Sequence, residues 1–336
     1  MKIAVDAMGG DYAPSEVVMG ALEASREGIE IILVGDGEKI LRDLGKERNG
    51  LIEIVHSGEA ITMGEKPALA VRRKRDSSIV KSIQLVKNGA AGACVSAGST
   101  GAVMAAALIE LGRMTGIDRP AIAAVIPGEK GKTILLDAGA NVDCRPENLL
   151  QFGIMGYLYA RKMLGVKNPR VGLLSMGEEE SKGNELTLKS LPLLRDAGIN
   201  FIGNVEGRDL FTGSVNVVVC DGFVGNVALK AGEGMAVALT RMMREELTRN
   251  RLYRMGTVLA LPALKGIMRR VDYAEYGGAP LLGVNGVVVI CHGSSTALAV
   301  KNAIKVAAEV VSSGLVGAIG ESVESISAGK VECSDI

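Results

Sequence analysis

A strand, a tight polar turn and a helix are predicted by the stretch Val217-Val-Val-Cys-Asp-Gly-Phe-Val-Gly-Asn-Val-Ala-Leu-Lys230. The apolar run from Val215 to Cys220 is typical of a buried strand, and a helical pattern follows from Asn226. In an open α/β sheet, ligands bind beyond the carboxyl ends of strands, where helix N-termini attract anions. Asp221, which ends the run, therefore either contacts a ligand or only caps the helix.

The same alternation of strand and helix patterns continues through the whole chain. It predicts a three-layer α/β/α fold with a mostly parallel sheet and helices on both faces. No internal repeat or Pro/Ser-rich linker interrupts it, so residues 1–330 are predicted to form one domain, with two lobes around a cleft. The predicted strands cover residues 3–6, 29–34, 51–55, 91–96, 121–126, 133–136, 170–174, 199–202, 215–220 and 287–291.

The composition excludes several classes of protein. Hydrophobic residues make up 48% of the 336 residues and aromatic residues only 3%, which predicts an aliphatic core. Lys plus Arg equals Asp plus Glu, at 38 each, and this balance argues against nucleic acid as the main partner. No secretory signal, membrane-length apolar run or C-x-x-C pair occurs, so the expected compartment is the reducing cytoplasm.

Small and polar residues gather in the turns after nearly every predicted strand. If the strands are parallel, these turns converge on one cleft. The chain has no G-x-S-x-G elbow, no Walker A loop and no H-x-x-x-H pair. Carboxylates at strand ends commonly cap helices, so no metal or other cofactor is predicted. Helix N-termini, glycines and hydroxyls in such a cleft are suited to binding a phosphate.

The chain resembles the bacterial phosphate acyltransferases of phospholipid synthesis in motifs that run in order along almost its whole length. Ser99 is a departure, since many relatives have Asn there, but both side chains can form hydrogen bonds. The motifs include Met1-Lys-Ile-Ala-Val-Asp-Ala-Met-Gly-Gly-Asp11, Ser96-Ala-Gly-Ser-Thr-Gly-Ala102, Asp137-Ala-Gly-Ala-Asn-Val-Asp143, Lys182-Gly-Asn-Glu-Leu-Thr187, Phe201-Ile-Gly-Asn-Val-Glu206, Asp221-Gly-Phe-Val-Gly-Asn226 and His292-Gly-Ser-Ser295.

The resemblance implies a fold like that of isocitrate and isopropylmalate dehydrogenases and of phosphotransacetylase. It also implies transfer of a fatty acyl group from acyl carrier protein to inorganic phosphate, giving acyl-phosphate for phosphatidic acid synthesis. The chemistry agrees, because a thioester has a good leaving group and phosphate can attack it without a covalent enzyme intermediate. Two alternatives are an NAD-dependent dehydrogenase of the isopropylmalate dehydrogenase-like class and a non-catalytic binding protein.

Candidate site residues lie in the turns that carry the resemblance. Lys182 either stabilises developing charge or is a solvated loop lysine. His292 either orients a ligand or caps the last helix. The predicted catalytic residues are Lys182, Asn184, Asp221, Asn226 and His292. The predicted phosphate- and substrate-binding residues are Asp6, Gly9, Gly10, Ser96, Ser99, Thr100, Asp137, Asn141, Asn204, Ser294 and Ser295.

Two further segments are candidates for contacts with partners. The basic run Arg72, Arg73, Lys74 and Arg75 either docks the acidic carrier protein or is a solvated surface. Residues 249–271 are predicted to form an amphipathic helical hairpin around Pro262. This hairpin either lies on anionic lipid or packs against the second subunit of a homodimer. In the membrane interpretation, this peripheral contact would place the product near the membrane glycerol-3-phosphate acyltransferase, with Val258, Leu259 and Leu261 inserted at the tip.

Overall fold

The computed structural model describes residues 1–271 and 273–327, which contain two β-sheets. Cys333 and residues 328–330 of the predicted domain lie outside the described residues. The first sheet has seven strands: β1 (Lys2–Asp6), β2 (Glu30–Gly35), β3 (Ile52–His56), β4 (Ala93–Ser96), β5 (Ala121–Ile122), β11 (Ala279–Leu282) and β12 (Val287–Ile290). Their order is β3-β2-β1-β4-β12-β11-β5.

The second sheet has five strands in the order β6-β7-β10-β8-β9. Most neighbours in both sheets are parallel, and the antiparallel pairs are β6 with β7, β5 with β11, and β11 with β12. The strands of the second sheet are β6 (Ala124–Gly128), β7 (Gly131–Leu136), β8 (Val171–Leu174), β9 (Phe201–Val205) and β10 (Val217–Val219).

The helices follow the strands as the sequence patterns predict, and the buried core is mainly Ile, Leu, Val and Ala. They are α1 (Ser15–Arg26), α2 (Gly37–Leu44), α3 (Pro67–Arg73), α4 (Ser78–Lys87), α5 (Thr100–Glu110), α6 (Pro146–Leu164), α7 (Glu185–Arg195), α8 (Gly222–Thr248), α9 (Arg251–Val271), α10 (Ala297–Ser312) and α11 (Leu315–Ser327).

The two sheets meet where the chain crosses from one lobe to the other. The segment 121–126 was expected to be a single strand, and this is wrong. Ile122 pairs with Leu281 in the first sheet, whereas Ala124 pairs with Leu135 in the second, so the chain changes sheets at residue 123. After β10, α8 and α9 the chain returns to the first sheet through β11 and β12. The strand ends therefore lie along two sheet edges instead of one.

The helical hairpin also differs from the expectation. Pro262 lies inside one continuous helix, α9, so a hairpin folded at this residue is wrong. The turn is at residues 249–250, where the Asn250 side chain accepts a hydrogen bond from the Tyr253 N–H at 2.8 Å and caps α9. The hairpin consists of α8 and α9. Val258 lies about 10 Å along the helix axis from Arg251, at about 1.5 Å per residue, and therefore not at the tip.

Many large apolar side chains of α8 and α9 are exposed in the single chain. Leu259 is 86% exposed, and Leu252, Met255 and Val258 are each at least 70% exposed. On α8 the exposed apolar residues include Met235, Leu239 and Met242. Among the described residues no single helix is long and apolar enough to span a membrane; α10 with α11 as far as Val323 forms one bent pair that qualifies by length and composition only.

Candidate active site

A pocket of about 300 Å³ opens at the carboxyl ends of β8 and β10, in the second lobe. We call it the Asp221 pocket. Its size is at the lower end of the range for small-molecule sites. The N-terminal ends of two helices, α7 and α8, contribute to its wall. The lining residues are Leu149, Leu174, Ser175, Met176, Gly183, Asn184, Thr187, Cys220, Asp221 and Val224.

Two predicted catalytic residues of this pocket are helix caps. The Asp221 carboxylate accepts the N–H groups of Phe223 and Val224, both at 3.0 Å. The Asn184 side chain accepts the N–H of Thr187 at 2.9 Å. The capping role that the sequence offered for Asp221 is therefore present. Both caps also line the pocket, so the positive ends of the two helix dipoles face the same space, and the Asp221 carboxylate takes two of the first N–H groups of α8.

The turn after β7 supports the start of α8. Asp137 is fully buried, and its carboxylate accepts hydrogen bonds from the backbone N–H groups of Ile122 and of residues 139–141. Burial raises the pKa of Asp137, while these hydrogen bonds and the one from the Asn141 amide lower it. Ile122 belongs to the first sheet, and residues 139–141 follow β7 of the second sheet. By accepting hydrogen bonds from both segments, Asp137 fixes the turn and joins the two lobes.

Two predicted residues attach this turn to α8. The Asn141 carbonyl accepts the Gly222 N–H at 2.7 Å, and the Asn226 amide donates to the Ala138 carbonyl at 3.3 Å. Asn141 therefore contacts the residue that follows Asp221 in the chain. The structure thus brings the predicted residues Asp137, Asn141, Asp221 and Asn226 together.

The loop between β8 and α7 carries Lys182, which does not line the pocket itself but precedes the lining residue Gly183. The Lys182 carbonyl accepts hydrogen bonds from Ser175 Oγ at 3.1 Å and from Asn204 Nδ2 at 3.3 Å. Asn204 Nδ2 also donates to the Glu179 carbonyl at 2.9 Å, so this buried side chain ties the loop to β9. The Lys182 side chain is exposed and forms no ion pair within the described ranges. Its ammonium group is therefore available to a ligand.

A second group of predicted residues lies in the first lobe, at the carboxyl ends of β1 and β4. Asp6 is 3% exposed, and its carboxylate accepts Ser96 Oγ at 2.7 Å and the Met8 N–H at 3.2 Å. Burial raises the pKa of Asp6, and the hydrogen bonds from Ser78 and Ser96 oppose that shift. A Cβ at Gly9 would lie 2.6 Å from Asp6 Oδ2, so a side chain there would displace the carboxylate.

The remaining predicted residues of the first lobe surround that group. Ser99 precedes α5 and Thr100 is its first residue. Gly10 lies beside the Gly293 carbonyl, which accepts the Asp11 N–H at 2.7 Å, so the turns after β1 and β12 are in contact. His292 Nδ1 contacts Ser294 Oγ at 2.7 Å, and the Ser295 N–H donates to the His292 carbonyl. Within the described ranges, no hydrogen bond joins Asp6 or Ser96 to the Asp221 pocket.

The four residues of the basic run have different environments. Lys74 forms an ion pair with Glu65 at 2.8 Å, and Arg75 forms one with the buried Glu110. Arg72 and Arg73 are exposed and have no ion-pair partner in the part of the chain that the structure describes. Of the four, these two alone have no compensating carboxylate among the described residues, so their charge is the most available to a partner.

A second basic surface was not expected from the sequence, because its arginines are scattered along the chain. An open groove of about 710 Å³ lies beside α5 and the turn after β7. Arg113, Arg119 and Arg145 line it, and Arg145 is paired with Asp118. Ser175 and Thr187 were also missed, although Ser175 directly follows β8 and Thr187 ends the quoted motif that begins at Lys182. Among the described residues, no three His, Cys, Asp or Glu side chains are grouped to hold a metal ion.

Comparison with known proteins identifies the family. Residues 1–317 match the family model described as "Fatty acid synthesis protein". The chain is 66% identical to the phosphate acyltransferase of Pelotomaculum thermopropionicum, over 97% of this chain and 96% of that protein. It is 58% identical to the phosphate acyltransferase of Desulforamulus reducens, over 96% and 98% of the two chains. This chain belongs to the phosphate acyltransferase family. It is an acyltransferase, as the sequence motifs predicted.

Solved structures of low sequence identity share the fold of this family member. A phosphotransacetylase from Streptococcus pyogenes aligns over 97% of this chain and 94% of its own, with a TM-score of 0.61 and 17% identity. A 4-hydroxythreonine-4-phosphate dehydrogenase from Klebsiella pneumoniae aligns over 93% and 99%, with a TM-score of 0.53 and 14% identity. The predicted three-layer, mostly parallel α/β fold is confirmed. The dehydrogenase alternative receives no support, since the relatives of high identity are named acyltransferases.

Proposed function

We propose that this phosphate acyltransferase transfers a fatty acyl group from acyl carrier protein to inorganic phosphate, and that the acyl-phosphate enters phospholipid synthesis. Family membership supports acyl transfer to phosphate. The observation that carries the proposal is the pairing of two helix N-termini, of α7 and α8, on the Asp221 pocket, whose lining residue Gly183 follows the exposed Lys182 in the chain. Helix N-termini and a lysine together favour an oxyanion or a phosphate.

In this proposal, phosphate binds near Lys182 and Asn184, at the polar side of the pocket. The lysine ammonium attracts phosphate and stabilises the tetrahedral oxyanion that forms when phosphate attacks the thioester carbonyl. Asp221 and Asn226 hold the start of α8 in position through the contacts described above. Asp6, Ser96, Ser99, Thr100 and the turn of His292 contribute substrate contacts from the first lobe.

The reaction is direct: a phosphate oxygen bonds to the acyl carbon, and the carrier thiolate leaves. The environments of the nearby nucleophiles support this route. Burial raises the pKa of the Cys220 thiol well above its ordinary value and that of Cys144 to about 11, so neither forms a thiolate readily. Ser175 donates to a backbone carbonyl, and both histidines lie in the first lobe, His56 as the last residue of β3 and His292 after β12. No step of this proposal is routed through an organic cofactor or a metal.

The partners follow from the substrate and from the exposed surfaces. Acyl carrier proteins are acidic as a class, and the two unpaired arginines Arg72 and Arg73 offer a docking site. The apolar side chains of α8 and α9 support a homodimer that also contacts the membrane surface. The enzyme is then cytoplasmic and peripherally membrane-associated, and it delivers acyl-phosphate to the membrane glycerol-3-phosphate acyltransferase.

The proposal is tested with purified protein and palmitoyl-loaded carrier protein. Free thiol and hydroxylamine-trapped acyl-phosphate are measured with and without inorganic phosphate, and nicotinamide reduction is followed with hydroxy acids as a control. We expect stoichiometric thiol and acyl-phosphate that both require phosphate, and no nicotinamide reduction. Thiol release that is independent of phosphate would refute the proposal.

A further inference from the structure

The Asp221 pocket is lined by apolar side chains as well as by its helix caps. Leu149, Leu174 and Val224 form its apolar wall; Leu149 is fully buried in the core, whereas Val224, in the first turn of α8, is 39% exposed. Polar groups of the pocket come from the two helix starts, at Asn184 and Asp221. The pocket therefore combines polar groups suited to an anion with an apolar wall suited to a hydrocarbon chain.

Exposed apolar side chains extend the wall outward. Met176, which lines the pocket, is 79% exposed. Phe223, which lies between the lining residues Asp221 and Val224 in the first turn of α8, is also exposed. Met176 and Phe223 thus place exposed apolar surface on and beside the wall, and such surface next to a concave site is a candidate ligand-binding rim.

We propose that this wall and rim hold the fatty acyl chain of the donor, and that Leu174 and Val224 set the chain length that the enzyme accepts. This rests on the proposed function, because an acyl thioester is the donor there. The occupant is argued from the pocket itself: its anion-binding end and apolar wall match an amphiphile with phosphate at one end and hydrocarbon at the other. Acyl-phosphate, the product, has this shape.

The first experiment measures binding without catalysis. Alkyl phosphates with four to ten carbons are stable mimics of acyl-phosphate, and their dissociation constants are measured by calorimetry below their micellar concentrations. Each buried methylene contributes about 0.8 kcal/mol, so affinity should rise about fourfold per methylene until the wall ends. Val224→Phe fills the space beside the apolar wall and should lower the ratio of long-chain to short-chain affinity at least tenfold. Leu174→Ala enlarges that space and should increase the longest chain length at which affinity still rises.

The second experiment measures kcat/KM with butyryl-, octanoyl- and palmitoyl-loaded carrier protein for the same variants. The ratio of long-chain to short-chain values should change in parallel with the binding ratios. Val237→Phe, the same substitution on an exposed site farther along α8, is the matched control and should leave these ratios unchanged. Subunit mass is recorded for each variant.

The outcomes separate the two proposals. Unchanged ratios in folded Val224→Phe and Leu174→Ala overturn the acyl-chain assignment, as does an equal loss for every chain length. A changed subunit mass without a changed ratio assigns the rim to a second copy of the chain and also overturns it. If the alkyl phosphates show the expected ratios but no carrier protein yields acyl-phosphate, the proposed function fails and the apolar wall stands.

Discussion

Gly225 lies against the carbonyl oxygen of Asp137, and a Cβ placed on this glycine would come within 1.9 Å of that oxygen. The contact joins the first turn of α8 to the turn after β7. The Asn141–Gly222 and Ala138–Asn226 hydrogen bonds lie beside it. The position of the Asp221 carboxylate therefore depends on a backbone contact that only glycine permits.

We expect Gly225→Ala to be strongly destabilising, because the methyl group must push α8 away from the Asp137 turn. Overpacking of this kind costs about 1–3 kcal/mol, and a backbone contact this close places the cost at the upper end. Gly234→Ala is the matched control, since a Cβ on this glycine would have no atom within 4 Å and alanine favours helix. Urea unfolding should show opposite signs for the two variants. Equal midpoints would contradict the close contact.

Lys182→Ala should lower acyl-phosphate formation about 100-fold or more, because removing one group that stabilises an oxyanion costs about 2.7–4 kcal/mol. The measurement is phosphate-dependent thiol release, with folding checked by circular dichroism. Lys189→Ala, which removes an exposed lysine paired with Glu185 on α7, serves as the control. Activity of Lys182→Ala within a few-fold of the wild type would show that Lys182 is only a solvated loop residue.

Replacing Arg72 and Arg73 together with serine should raise the KM for acyl carrier protein and leave kcat nearly unchanged. Both arginines are exposed, and exposed charges act mainly on docking and are screened by salt. The KM of the wild type should therefore rise with ionic strength, while that of the double variant should rise less. The control is Arg113→Ser with Arg119→Ser in the groove beside α5. If this second pair raises KM instead, the carrier protein docks at the groove.

Replacing Val258, Leu259 and Leu261 with serine should abolish sedimentation with anionic liposomes and preserve activity in solution. These side chains are exposed along α9, so the helix would lie flat on the membrane instead of inserting at a tip. The companion variant carries serine at Met235, Leu239 and Met242 of α8. Subunit mass is measured for both. Dissociation of the α9 variant into monomers, with liposome binding retained, would assign this surface to the dimer.

The ion pairs of Glu27 predict how the free energy of unfolding depends on pH. Its carboxylate pairs with Lys301 and Lys305 of α10 at 2.7 Å each, and these pairs lower its pKa from 4.5 to about 2. A lowered pKa in the folded state means that the stabilisation is complete above pH 4.5 and is lost as pH falls toward 2. Glu27→Gln should therefore have a lower urea midpoint than the wild type at about pH 7. The difference should shrink below pH 4.5, and a constant difference would contradict the ion-pair explanation.

The local patterns of the sequence determined most of the fold. Strand and helix alternate because apolar runs and amphipathic stretches fix local structure, and the turns follow from glycine and capping residues such as Asp221 and Asn184. The errors arose where tertiary contacts overrode a local signal. The run 121–126 is apolar throughout, and only pairing with β11 on one side and β7 on the other divides it between two sheets. The hairpin turns next to Asn250, which caps α9, and not at Pro262.

The candidate site shows the same division. The sequence by itself determined the family, the chemical types of the site residues and the turns that carry them, because these depend on local order and on motifs. Only the tertiary structure decided which turns meet. The turn with Asp137 and Asn141 contacts the start of α8, to which Asn226 belongs, whereas Asp6 and Ser96 belong to the other sheet. It also decided that Lys74 and Arg75 are paired, and that Leu149 and Val224 face one pocket. Such contacts join residues far apart in the chain, and no local pattern encodes them.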